Sequence, residues 1–232
     1  MVSGFLASGL LPSNMKEMVF KIKRQDMWDM GGYMITGLLK GQLFNELLIK
    51  NLPVKTIEEC PIPVGITAFD LCNLKTRVIT SGNLAQAIQA SCTFPGLFQP
   101  VSIDGTPHID GGVFDDVGIM ALPGADDSHK LIINVVFGHS RLRSTVIPDR
   151  FKNAKLITIV VECVPMVFPW NMSDMGPVAF SIAKRAMSAA LNIATLTQIK
   201  SNHFSCVVDG SIVGITNSPS DEFKKEEMTD ED

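Results

Sequence analysis

The alternation of apolar and polar positions divides the chain into helical and extended stretches. After Pro12, the residues Met15, Met18, Val19 and Ile22 recur at helical spacing across Ser13 to Lys23, with Ser13 as the expected N-cap. A second helix is predicted from Gly41 to Asn51, where Leu43, Leu47 and Leu48 share a face and Pro53 closes the run. Ile62 to Leu71 reads as a buried strand, and Thr76 to Thr80 as a second one reached through a turn at Asn73. Asn83 is placed to cap a short helix through Ala90, and the loop Ser91 to Phe98 follows. Two short extended pieces, Gln99 to Ile103 and Pro107 to Ile109, are joined by Asp104-Gly105, a tight-turn pair. This hairpin ends on Asp110-Gly111-Gly112.

Further along, Leu131 to Phe137 and Leu156 to Val161 are rich in β-branched residues and suit interior strands of a mostly parallel sheet. The longest helical pattern runs from Asp174 to Asn202, with small residues such as Ala183, Ala186 and Ala190 in its apolar stripe. Strands alternating with helices predict an α/β layered architecture. The first eleven residues are apolar on all sides, so a helix there is expected to need neighbours on every side. They lack the basic start and the cleavage site of a signal peptide.

Composition narrows the class. With 46% hydrophobic and 19% charged residues, the 232-residue chain can bury an interior, and its length fits one core better than two. The net charge of −4 comes from the end of the chain: Asp221 to Asp232 holds seven acids against Lys224 and Lys225. From about Asn217 onward a solvated, disordered acidic tail is expected. The remainder is near neutral and shows no basic face, which argues against nucleic acid as a partner. Five scattered cysteines without a C-x-x-C pair are expected to be reduced, buried thiols. No apolar run reaches the ~18 residues of a membrane span. A cytoplasmic location, or a peripheral one at a membrane surface, is therefore expected.

The run from Ser81 through Ala90-Ser91-Cys92-Thr93-Phe94-Pro95-Gly96-Leu97-Phe98-Gln99-Pro100 to Asp110-Gly111-Gly112 carries several motifs at fixed spacing. It resembles the region around the D-G-G motif of patatin-like phospholipases. Ala7-Ser8-Gly9-Leu10 and the segment Met15 to Trp28 resemble the end of the helix that follows the nucleophile in that family and the amphipathic helix after it. The resemblance implies a three-layer patatin-like sandwich with a mostly parallel central sheet, of which residues 1–216 form a partial domain lacking its amino-terminal strands. It also implies lipid acyl-ester hydrolysis by a serine and aspartate dyad, without cofactor or metal, in which Asp110 accepts the serine proton. Asp-Gly pairs also occur as simple turns whose carboxylate caps backbone amides. The chain departs from the family pattern after the motif, with Asp116 and Gly118 where an asparagine and a proline are usual.

No complete G-x-S-x-G elbow occurs in the 232 residues. Ser3 lacks a glycine two residues before it, and Gly138-His139-Ser140-Arg141-Leu142 lacks the second glycine needed to relieve crowding at the strained turn. The glycine-rich oxyanion loop is likewise missing, and Gly31-Gly32 reads as a helix-ending turn. The nucleophile is thus expected upstream of Met1, and the chain as it stands is expected to be inactive. The alternative is a non-catalytic protein that binds lipid or a partner. Expected partners are a lipid substrate or membrane surface and a full-length relative or further copy, because an apolar first helix and a sheet edge would otherwise lie open. His108, two residues before Asp110, shares its face in an extended segment and reads as a strand-end polar residue rather than a base. His129, His139 and His203 stand apart and offer no metal-ligand spacing. The apolar loop Val164 to Trp170 reads as packed rather than membrane-touching.

Overall fold

A computed structural model describes residues 2–31, 36–113, 118, 121–122, 131–137, 154–165, 167, 171–193, 197–200 and 203–209. The expected acidic tail from 217 to 232 lies outside these residues, as does Ser140. The chain groups into two units, Met1–Ala125 and Asp126–Asp232. Together they bear out a mixed α/β fold.

The first unit opens with α1 (Val2–Ala7) and α2 (Pro12–Lys21), continues through a 3-10 turn (Arg24–Asp26) to α3 (Gln42–Asn51), and then forms β1 (Ile66–Asp70), β2 (Lys75–Ile79), α4 (Leu84–Ser91), β3 (Val101–Ile103) and β4 (Thr106–Asp110). Its four strands lie in the order β2-β1-β4-β3, every pair antiparallel. Short connections produce this: β1–β2 and β3–β4 are joined by tight turns that can only return the chain alongside itself. At the second turn both Asp104 (φ 53°) and Gly105 (φ 76°) take left-handed backbone, the pattern of a two-residue hairpin whose twist matches its strands. At the first, buried Asp70 accepts the amides of Cys72 at 2.8 Å and Asn73 at 2.9 Å, and the Asn73 side-chain amide at 2.7 Å. These bonds, those from Asn73 foremost, hold its carboxyl below the ordinary range.

α4 supplies the core. Leu84, Ala87 and Ile88 are buried against Ile66, Ala68, Ile79, Val101 and Ile103 of the sheet. Asn83 caps the helix as its sequence predicts, accepting the Gln86 amide at 2.9 Å. α1 lies on the same apolar cluster through Phe5, and a Cβ at Gly4 would stand 2.6 Å from Ile88. Neighbours surround α1 on one side only, however: Phe5 and Ala7 are buried while Val2 and Leu6 are exposed.

Several boundaries differ from those read in the sequence. β1 begins at Ile66 rather than Ile62, because Pro61, Pro63 and Gly65 interrupt regular pairing. α2 starts on Pro12 with Leu11 at its N-cap, so Ser13 sits inside the helix; proline's fixed φ is pre-set for the first helical position. Gly31 ends no helix: it follows the Met30–Leu39 bridge, with φ 121°, and Gly32 is outside the described residues.

The start of α3 is held from a distance. Its N-cap, Gly41, has no side chain to offer, and the carboxylate of Asp29 takes that place by accepting the amides of Gly41 at 2.9 Å, Gln42 at 2.5 Å and Leu43 at 3.2 Å. Amide donors at a helix start are satisfied best by an anionic oxygen.

In the second unit, β5 (Leu131–Phe137), β6 (Lys155–Glu162) and β8 (His203–Asp209) are parallel, and β7 (Thr197–Lys200) joins the outer edge of β8 antiparallel. The expected parallel pairing of the two β-branched runs is met here, whereas the sheet ending in Asp110 is antiparallel throughout. α5 (Met172–Ile193) covers one face, with Ala186 buried against Ile159, Val161 and Cys206. The predicted helix to Asn202 stops at Ile193. Thr197 and Ile199 favour extended backbone, and pairing with β8 overrides the helical pattern. β8 itself was not predicted.

Cys72 and Cys163 are exposed rather than buried, Cys60 and Cys92 are half-buried, and only Cys206 fits the expectation fully; none of the five is joined in a disulfide. In the loop from Val164, Val164 and Pro165 are half-buried and Val167 is exposed, with Met166 and residues 168–170 outside the described set. Among the described residues no helix is long and apolar enough to cross a membrane.

Replacing Asp29 by alanine removes the acceptor for three helix-start amides and is expected to destabilise the protein by about 1–2 kcal/mol. Urea unfolding would measure this. Unchanged stability would show that water replaces the carboxylate without loss.

Candidate active site

Asp110 is the last residue of β4 and pairs across the sheet with Ala68. Alternation along the two strands puts Asp110, His108, Ala68 and Ile66 on one face, the face that α4 and α1 cover. The backbone amide of Asp110 donates to the carbonyl of Thr93, at 3.0 Å, in the loop that leaves α4. Its carboxylate Oδ1 accepts the Gly112 amide at 2.8 Å. That bond is the one a turn aspartate makes, but a carboxylate offers about four acceptor positions, so one amide leaves room for a hydroxyl.

Opposing influences act on this carboxyl. Burial raises its pKa, while the Gly112 amide and, more weakly, the positive charge of the chain's amino terminus favour the ionised form; burial prevails. The side chain is half-buried, and no described lysine or arginine pairs with it.

The two glycines have different tasks. At Gly111 an added Cβ would meet the Thr67 carbonyl oxygen at 2.6 Å and its carbon at 2.8 Å, both rigid backbone atoms, so only glycine lets the chain leave the sheet there. Gly112 brings its amide back to the carboxylate within a single 3-10 turn, Gly111–Val113. The D-G-G triplet therefore has a steric reason for its second residue and a hydrogen-bonding reason for its third.

Thr93 is buried, and its hydroxyl donates to the Gln89 carbonyl at 2.8 Å. The Gln89 side chain in turn donates to the Gly41 carbonyl at 2.8 Å and accepts from Asn45 at 2.7 Å. Thr93, Gln89 and Asn45 carried no signal in the sequence, because each acts on a residue that is distant in the chain or through backbone atoms.

His108 shares the face of Asp110, as its spacing predicts, but it is not a strand-end residue. It lies inside β4 and is fully buried. The reason is the closed α4 layer above it. Its Nδ1 lies 2.8 Å from the Thr106 carbonyl, which can only accept, so Nδ1 carries the proton. Nε2 is buried without a hydrogen-bond partner.

Cys92 stands near Asp110, and burial, together with that carboxylate's charge, pushes its thiol up. A thiol held protonated is a poor nucleophile. Ser3 is exposed on α1 and is followed, not preceded, by glycine. Among the described residues no group of three or more His, Cys, Asp or Glu side chains is placed to hold a metal ion.

The corner thus presents a half-buried aspartate at the end of an antiparallel sheet covered by α4 and α1. Residues 1–123 match the family model described as patatin-like phospholipase, and this stretch ends within two residues of the first unit's boundary. The chain belongs to the patatin-like phospholipase family. Over 90 residues it is also 30% identical to uncharacterized NTE family proteins of Mycobacterium bovis and Mycobacterium tuberculosis. That alignment covers 39% of this chain and 25% of each relative, so it spans a quarter of the relatives' length.

Because burial holds the folded Asp110 carboxyl above its value in the unfolded chain, the unfolded state loses its proton first as pH rises. Stability therefore falls across the window between the two values. Asp110→Asn removes this loss. Relative to the parent, the variant is expected to gain stability as pH is raised from about 4 towards about 7, read as the difference in urea midpoints. A difference that stays level or shrinks would mean that the Gly112 bond outweighs burial.

Proposed function

We propose that this chain provides the aspartate half of a serine and aspartate dyad that hydrolyses acyl esters of glycerolipids, with Asp110 as the proton acceptor. The observation that carries the reading is the position of Asp110: half-buried at the end of β4, raised in basicity by that burial, and turned toward the face that α1 covers. In the reaction the serine oxygen attacks the ester carbonyl while its proton passes to the Asp110 carboxylate. The proton is then delivered to the leaving alcohol oxygen, and an acyl-serine remains. Water attacks the acyl-serine, again losing a proton to Asp110, and frees the fatty acid and the serine. A carboxylate with an ordinary pKa of ~3.9 is a weak base, so direct contact and partial desolvation are what make it useful without an intervening histidine.

The serine belongs to a G-x-S-x-G elbow outside these 232 residues, and by itself the chain does not turn over esters. The lipid surface is the natural partner of such a site. The family match supports a lipid hydrolase, and the matched region is the unit that carries Asp110.

Two assays separate this from the alternative of a non-catalytic binder. The purified 232-residue chain is expected to cleave neither a p-nitrophenyl ester nor a glycerophospholipid above background. A version extended upstream through an elbow-bearing segment is expected to cleave both, with Asp110→Asn lowering kcat by about 10²- to 10⁴-fold. Turnover by the 232-residue chain that disappears when one of its own serines becomes alanine would overturn the assignment of the nucleophile. An active extended chain indifferent to Asp110→Asn would overturn the assignment of the base.

A further inference from the structure

β3 stops short of the corner. Its pairing with β4 ends at Val101 and His108, so β3 no longer lies beside the edge of β4 that carries the Asp110 amide. The Thr93 carbonyl takes its place there, accepting that amide at 3.0 Å. On this side Asp110 is therefore located by a loop residue, and a loop residue is only as well placed as the helix end that carries it. Thr93 follows α4 by two residues. The carbonyl of Gln89 ties that stretch to the helix by accepting the Thr93 hydroxyl at 2.8 Å and the Cys92 amide at 3.0 Å.

The last turn of a helix has no further turn to hold it. Burial of Ile88 and Ala90 anchors the apolar side of this turn, and Gln89 anchors its polar side. The Gln89 carboxamide uses both of its ends: Nε2 donates to the Gly41 carbonyl at 2.8 Å, and Oε1 accepts from Asn45 Nδ2 at 2.7 Å. The slot is fitted to it. A Cβ on Gly41 would stand 2.8 Å from Gln89 Nε2, and Gly41 has φ 79°, so the close approach needs glycine at that point. Chemistry selects the carboxamide as well as size does. A carboxylate would set an oxygen against the Gly41 carbonyl, and an amine would offer Asn45 no acceptor. Gly41 and Asn45 both lie at the start of α3, where Asp29 holds the amides.

We infer that Gln89 is a positioning residue for the proposed base: it fixes the end of α4 and, through Thr93, the depth at which the Asp110 carboxyl sits. The inference rests on the dyad reading for its catalytic consequence, and its geometric part is tested without turnover. Gln89 and Asn45 are uncharged, so replacing either with a neutral residue changes no charge near Asp110. The groups that titrate or carry charge around that carboxyl, the Cys92 thiol, His108 on the same face and the chain's amino terminus, are left as they are. A response of Asp110 to these substitutions must come through geometry.

In the 232-residue chain labelled with carbon-13 at the aspartate carboxyls, the Asp110 signal is the one missing from Asp110→Asn, and NMR follows its titration. Gln89→Met keeps the side-chain length and removes both bonds. It is expected to move the Asp110 midpoint down towards the ordinary carboxylate range, because a loosened Thr93 admits water to a group that burial now raises. Asn45→Ala removes one of the two bonds and is expected to move the midpoint the same way by less. Asn83→Ala removes the cap at the other end of α4, and is expected to lower stability in urea while leaving the midpoint where it was. In the version extended through an elbow-bearing segment, Gln89→Met is expected to lower kcat by about 10- to 100-fold with KM changed less than about twofold. Should Gln89→Met fail to fold by circular dichroism, Asn45→Ala decides alone. A midpoint unmoved by the Gln89 and Asn45 substitutions, or moved as far by Asn83→Ala, would overturn the inference. So would an unchanged kcat in Gln89→Met of an extended chain that Asp110→Asn disables. A shifted midpoint in a protein whose turnover ignores Asp110→Asn would remove the dyad and leave the positioning of the carboxyl by Gln89 standing.

Discussion

The position of the Asp110 carboxylate follows from how closely two backbones approach each other at the end of β4. Ala68 and Asp110 are the last partners in that strand pair, and the chain must leave the sheet immediately afterwards. It does so past the Thr67 carbonyl at a separation that admits no Cβ, which fixes both the direction of exit and the identity of Gly111. Gly112 then turns its amide onto the carboxylate, while Thr93 holds the Asp110 amide from the opposite side. The side chain is thus oriented by backbone groups on three segments. For the proposed role as general base this matters, because such a group is effective only when its geometry is set before substrate arrives.

The fastening extends well beyond the corner. Thr93 is bonded to Gln89 on α4, Gln89 to Gly41 and Asn45 at the start of α3, and that helix start to Asp29. Each neutral bond contributes only about 1 kcal/mol to stability. Their joint effect is geometric: they set the loop leaving α4 at a defined height above the sheet. α4 is the common element, with its apolar side against β1 and β3 and its polar end tying two loops together.

What the sequence reveals depends on how local each determinant is. The Asp104-Gly105 turn, the Asn83 cap and the D-G-G corner are each written within a few consecutive residues, so the residues alone locate them. Determinants spanning a dozen residues or more leave no such mark. The Asp29 carboxylate caps a helix that begins at position 42, and nothing near Gly41 announces it. Thr197 to Lys200 continues a helical pattern and becomes a strand because β8 lies alongside. His108 keeps the predicted face, yet its complete burial depends on α4, which spacing within β4 cannot report. The antiparallel hairpin before Asp110 was legible from its short connection and the parallel pairing of β5 with β6 from their β-branched runs, whereas the pairing of β1 with β4, distant in the chain, left no local mark.

The proposed role places two opposing requirements on one carboxylate. Full exposure would leave it too weakly basic to take a proton from a hydroxyl, and burial without a donor would leave it protonated at neutral pH. Half-burial at a strand end, together with one amide from Gly112, lies between these limits. The surroundings preserve that balance. Cys92, the nearby thiol, is pushed up and keeps its proton, so it neither competes as a nucleophile nor adds a negative charge beside Asp110.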